Sequence, residues 1–335
     1  GQFDLPTILG AEIVGGVIAI LFGIFVRQIR VLFPPLVTGT VIFTIGLSLY
    51  PTAIKYMAGG AGTEGFGSPQ NWFVAILTLL VVTVLSHFCK GVLKLGAILF
   101  GMIVGYIVAY AMGMVSFAEV GAAGWFNLPA PMHFGITFEV SACVSLAIVY
   151  IVNAVQTIGD LSSTTMGGMD RMPTDKELSG GIIGQGVMSI VGAIFGGLPT
   201  ASYSQNVGIV TVNRVINRAV FAFAAIVLAV AGFVPKISSI LTTIPQCVIG
   251  GATISVFATI TMTGVRMITS DGFSMRSSAV VGLAVAIGVG ITQVQGSLGG
   301  FPTWVTTVFG SSPVVVTTIV AILLNLTLPK EEAKK

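Results

Sequence analysis

Charge is what this sequence has least of. Only 15 of its 335 residues are Lys or Arg and 12 are Asp or Glu, 8% in all, where an ordinary soluble domain carries about 25%. A soluble globule of this length needs a charged shell that these residues cannot supply. The scarcity excludes a cytosolic enzyme, a nucleic-acid binder and a disordered chain. Cysteine and histidine are also sparse. Cys89, Cys143 and Cys247 form no CxxC pair, and His87 and His133 stand far apart, so neither a disulfide framework nor a metal site is indicated and no cofactor is expected. There is no HExxH, no pair of intramembrane aspartates and no Ser/His pairing at depth, so the chain does not read as an intramembrane enzyme. No charged segment before an apolar core marks a signal peptide.

Hydrophobic residues make up 54% of the chain, and mean hydropathy is +1.00. Glycine supplies 43 residues, roughly double its usual share of about 7%. Together these describe a polytopic membrane protein whose helices approach closely. Eleven apolar segments follow in order: 8–26, 36–50, 72–86, 95–115, 140–166, 182–197, a short one at 203–212, 219–234, 247–264, 279–292 and 313–328. Sorted onto alternating sides, Arg27, Arg30, Lys90, Lys94, Arg171, Lys176, Arg214, Arg218, Arg266, Arg276, Lys330, Lys334 and Lys335 share one side, and only Lys55 and Lys236 take the other. The positive-inside rule then puts the C-terminus in the cytoplasm and Gly1 outside, as for a multi-pass protein of the plasma (inner) membrane. An odd span count starting outside leads us to expect about three further spans before Gly1.

A repeat supports this topology. Phe33-Pro-Pro-Leu-Val-Thr-Gly39 and Ile244-Pro-Gln-Cys-Val-Ile-Gly250 both read apolar-Pro-x-x-Val-x-Gly. Both open a span, but the spans run in opposite directions, as inverted-topology transporter repeats do.

Polar side chains within apolar spans are costly and face a cavity or a partner helix. Asn153, Gln156, Asp160 and Thr164 share one face of the fifth segment. Gln185 and Ser189 lie one turn apart on the sixth. The stretch Leu198-Pro-Thr-Ala-Ser-Tyr-Ser-Gln-Asn-Val-Gly208 is too polar and short for a through-going helix. Thr200 to Ser204 reads as extended, and Asn206 as the start of a short helix offering free N–H groups. Extended backbone at membrane depth is tolerated where it lines a cavity or packs in protein. Glutamine offers both a donor and an acceptor, which suits the edge of a base. The same residues have plainer readings: Asn153, Gln156, Thr164 and Gln185 as interhelical glue, Asp160 as a cap near the cytoplasmic end. Glu12 and Glu139, near the outer face, read as structural.

Ser204-Gln-Asn-Val-Gly-Ile-Val-Thr-Val-Asn-Arg214 resembles the signature of the nucleobase–ascorbate transporters, the uracil/xanthine permeases. Gln205, Asn206, Gly208 and Arg214 fit it, while Asn213 stands where Thr is usual. Gln156-Thr-Ile-Gly-Asp160 resembles the family's Glu-x-x-Gly-Asp, and Gly181-Ile-Ile-Gly-Gln-Gly186 a segment that usually holds Asp where Gln185 stands. Pro35-Leu-Val-Thr-Gly-Thr40 is also family-like. The resemblance spans the whole chain.

It implies an all-α inverted-repeat transporter fold with core and gate domains and a broken helix at mid-membrane. The implied core pieces are 1–30 and 136–235 and the gate pieces 31–135 and 236–328, with 329–335 as a cytoplasmic tail. It further implies alternating-access transport of a nucleobase by a homodimer in the lipid bilayer, with Gln at 205 similar to purine members that carry xanthine or urate. A uracil carrier is the alternative, as is an anion transporter of the same general fold. The implied substrate-binding residues are Gln156, Gln205, Ser204, Asn206 and Gln185, supported by Asp160, Asn153 and Gly208. Gln156 and Gln185 replace two family carboxylates, and glutamine cannot exchange a proton near neutral pH. Coupling is therefore expected to be sodium-linked, weak, or a proton route through Asp160.

Overall fold

The computed structural model describes residues 3–29, 32–203, 210, 214–270, 272–294, 296–310 and 313–329. Among them the ordered elements are α-helices. In chain order these are α1 (Leu5–Ile24), α2 (Val26–Ile29), α3 (Pro35–Met57), α4 (Pro69–Phe88), α5 (Val92–Leu95), α6 (Ala97–Ala111), α7 (Ala118–Ala122), α8 (Val140–Met169) and α9 (Asp175–Ile194). After them come α10 (Arg218–Gly232), α11 (Pro235–Thr242), α12 (Gln246–Ile268), α13 (Met275–Gln293), α14 (Thr303–Gly310) and α15 (Pro313–Thr327). Seven are long and apolar enough to cross a membrane: α1, α3, α4, the first part of α8, α9, α12 and α13. Helices α10 and α11 form a pair bent by 86°, and α6 and α15 are shorter apolar helices. These match ten of the eleven expected segments; the seventh, 203–212, falls almost wholly outside the described residues.

Starts and stops follow local chemistry. Asp4, Ser68, Thr174, Asn217 and Ser274 cap α1, α4, α9, α10 and α13 by accepting a backbone N–H of the first turn. Thr174 and Glu177 close a full capping box. One boundary departs from expectation. The sequence pattern ends the second segment at Tyr50, before Pro51, yet α3 runs on through Pro51 to Met57. A proline costs a helix one backbone bond, and a packed membrane helix absorbs that loss where neighbours cover it.

The chain divides into two compact units. The first comprises 1–48, 130–214 and 260–335, the second 49–129 and 215–259. In the first, α1 lies against α8 and α9. Apolar burial alone does not hold helices together in lipid, so close backbone approach matters. Gly16 and Gly186 face each other across α1 and α9, where a Cβ on either would stand 2.8 or 2.7 Å from the other's carbonyl oxygen. Gly15 accommodates the Tyr150 ring, and Phe22, Val26, Ala154, Val155 and Ile182 close the core beside it. Elsewhere in this unit Val37, Val280, Ala284 and Ala321 form a second core, and the Thr317 hydroxyl donates to the Ala284 carbonyl at 3.2 Å. In the second unit Met57, Val74, Ala75, Ala109, Cys247 and Val248 pack together, and Tyr106 and Thr243 share a hydroxyl–hydroxyl bond at 2.7 Å.

The repeated motif has a structural counterpart in both units. In the first, Gly39 packs against the Ile268 backbone nitrogen; in the second, Gly250 packs against that of Met57. Gly39 to Gly250 and Met57 to Ile268 are both steps of 211 residues. A glycine near the start of each repeat helix thus meets the same position near the end of the other, which is the exchange an inverted repeat requires.

Candidate functional site

The site grows from one face of α8 and the extended residues that follow α9. After Ile194 the chain turns at Gly196, in the left-handed region at φ 76°, and runs without regular structure from Gly197 to Tyr203. An extended segment packed beside apolar helices must find partners for its backbone. Helices α8 and α9 supply them. Asn153 Nδ2 donates to the Thr200 carbonyl at 3.2 Å, Gln185 Nε2 to the same carbonyl at 3.0 Å, and Gln156 Nε2 to the Ser202 carbonyl at 3.4 Å. Side chains complete the net: Ser189 and Thr200 join hydroxyls at 2.5 Å, and Ser202 Oγ donates to Asp160 Oδ2 at 2.5 Å. Thr157 Oγ1 lies 2.7 Å from Gln185 Oε1 and 3.3 Å from Ser202 Oγ.

A cavity of about 300 Å³ opens beside this net, at the small end of the usual range for ligand sites. Asn153, Gln156, Tyr150 and the Pro199–Ala201 backbone line it, and Ile45, Val149, Val314 and Val315 supply apolar walls. It is thus a greasy slot with two carboxamides on one side, and none of its lining residues carries a formal charge. A second cavity, about 380 Å³, follows along α8 at Ile158, Gly159 and Ser162, with Phe33, Thr38 and Met267 opposite. It has hydroxyls but no amide.

The residues expected at the site separate into three groups. Asn153 and Gln156 line the cavity. Gln185 and Asp160 do not: half-buried Gln185 donates to the Thr200 carbonyl and accepts from Thr157 of α8, and buried Asp160 accepts from Ser202. Ser204, Gln205, Asn206 and Gly208 lie outside the described residues. Sequence reasoning missed Thr157, Thr200, Ser202 and Tyr150 as members of the site. No local signal singles out Thr157, because a threonine inside a helix ordinarily bonds back to the carbonyl four residues earlier, as Thr157 also does to Asn153 at 2.9 Å.

Fold and site together define a polytopic membrane protein with a polar slot beside an extended segment. The Permease family of xanthine and uracil permeases matches this chain over residues 1–297, and the chain belongs to that family. It is 35% identical over 331 residues to the uric acid permease PucK of Bacillus subtilis, covering 96% of this chain and 75% of that one. It is 31% identical over 333 residues to the xanthine permease of the same organism, covering 97% and 74%. Among solved structures it resembles the transmembrane domain of a cyanobacterial bicarbonate transporter, BicA, with a TM-score of 0.64 at 16% identity over 96% of this chain and 77% of that one. That likeness concerns the fold.

Proposed function

We propose that this chain transports a purine nucleobase, xanthine or urate, by secondary active alternating access. The observation that carries the proposal is the pair of carboxamides, Asn153 and Gln156, set beside extended backbone in an otherwise apolar slot. A purine is flat, with ring faces that suit valine and isoleucine and edges that alternate donors and acceptors. A carboxamide can answer both kinds of group. Gln205 and Asn206, with the Ser204 backbone, complete the base contacts, while Gln185 and Asp160 hold the extended segment in register. The uric acid and xanthine permeases among the relatives support the purine reading over uracil.

Alternating access moves a core domain (1–30 and 136–235) against a gate domain (31–135 and 236–328). The protein works as a homodimer with its C-terminus in the cytoplasm. An anion carrier is the second reading, favoured only by the fold shared with BicA, and the uncharged lining of the slot opposes it. Thermal-shift and uptake measurements with xanthine, urate, guanine, uracil and sulfate decide between them. Stabilisation and uptake by a purine are expected; a response to sulfate alone, with none to any base, would sink the nucleobase reading.

A further inference from the structure

Among the described residues, the buried side-chain oxygens without a hydrogen-bond partner are both carboxylate oxygens of Glu12 and the hydroxyl of Tyr150. They belong to one neighbourhood. Glu12 lies seven residues into α1, about 10 Å along a helix that rises 1.5 Å per residue, and is 0% exposed. Its Oε1 stands 3.9 Å from where a Cβ on Gly192 of α9 would be. Tyr150 of α8 packs its ring against Gly15, one turn along α1. Its hydroxyl lies near Glu12 and beside Ser189 without closing a bond to it. Tyr150 also lines the slot, and Ser189 holds Thr200, which lines it too. A buried carboxyl thus sits one side chain away from the candidate base site.

No cation faces it. Glu12 is the sole charged residue of α1. From α8 the facing titratable group is Tyr150; Cys143 lies two turns before it, and Asp160, bonded to Ser202, nearly three turns beyond. From α9 none faces it, because Asp175, Lys176 and Glu177 occupy the first turn, at the far end from Gly192. Arg27 on α2 is exposed at the other end of α1, and Glu139, before α8, is exposed and accepts from Ser141. A carboxylate buried without a partner is strongly disfavoured against its protonated, neutral form.

We infer that Glu12 is the proton-binding residue of this transporter. It is protonated in this conformation and releases its proton when the movement of α1 and α9 opens the Glu12–Tyr150–Ser189 cluster to water. This inference rests on the nucleobase reading and deepens it: it supplies a titrating group where Gln156 and Gln185 have none. It also places the proton beyond Tyr150 rather than on Asp160, whose carboxylate is already committed to the extended segment.

The test uses the full-length protein in proteoliposomes with labelled xanthine and urate. Base exchange at zero gradient measures transport alone. An acid-outside gradient measures coupling, and one pH unit drives roughly tenfold accumulation for one proton per base. Glu12→Gln, the isostere of a protonated glutamate, is expected to keep exchange and lose the gradient-driven accumulation. Accumulation that survives Glu12→Gln, or that Asp160→Asn alone removes, overturns the inference. Glu12→Asp keeps a carboxyl on a shorter arm and serves as the deciding variant if Glu12→Gln does not fold. It should retain accumulation with a displaced pH midpoint, and an unmoved midpoint overturns the inference. Absence of any base exchange by the unsubstituted protein would instead be the failure of the nucleobase reading.

Discussion

At the scale of single residues, the site is a set of hydroxyls and amides whose value depends on their partners. Thr200 illustrates this. Its hydroxyl meets Ser189, and its carbonyl accepts from both Asn153 and Gln185. Thr200→Val keeps the shape and leaves the Ser189 hydroxyl without that partner, at a cost of about 1–3 kcal/mol. A lowered melting temperature with weaker base binding is expected. Gln205→Ala is expected to abolish purine binding in a direct binding measurement, whereas Asn153→Ala mainly lowers the melting temperature by removing one of the two donors to the Thr200 carbonyl. Retained transport in Gln205→Ala would show the site to be elsewhere. Asn153 and Gln156 were legible in the sequence because amides at helical spacing in an apolar run must face something. Thr157 and Ser202 were not, because a hydroxyl in a helix or loop can satisfy itself locally and reveals a distant partner only when the chain is folded.

At the scale of elements, glycine decides which helices can meet. Gly186 of α9 touches the Gly16 backbone of α1, while Gly180, nearly two turns earlier in the same helix, has nothing within 4 Å of where its Cβ would be. Gly186→Ala is therefore expected to lower the melting temperature, because the obstruction is backbone and cannot turn aside. Gly180→Ala should raise it or leave it unchanged, since alanine stabilises a helix interior by roughly 0.5–1 kcal/mol over glycine. The reverse order in a thermal-melt comparison would contradict the packing described. The caps at Asp4, Ser68, Thr174, Asn217 and Ser274 are contacts between near neighbours in the chain. The continuation of α3 through Pro51 was not legible, because what offsets the lost bond lies outside the local sequence.

For the whole molecule, orientation is the property to test. In a background without Cys89, Cys143 and Cys247, Lys94→Cys should react with an impermeant maleimide from the cytoplasmic side, and Lys236→Cys only from the outside. Lys236 sits 4.6 Å from the Trp125 ring centre, a cation–π arrangement suited to a membrane boundary. The exposed pairs Arg171–Glu177 and Arg214–Asp170, each at 2.7 Å, should matter little; Arg171→Ala is expected to leave the melting temperature nearly unchanged.

The sequence by itself marked the apolar spans and the repeat, because transfer into lipid acts on each residue where it stands. Only the tertiary structure decided that Asn153 and Gln156 reach a cavity while Gln185 and Asp160 do not. It also decided that Glu12 is buried with no hydrogen-bond partner among the described residues. Hydrogen-bond satisfaction belongs to pairs of groups distant in the chain, and hydropathy, which is summed along the chain, does not record which pairs meet.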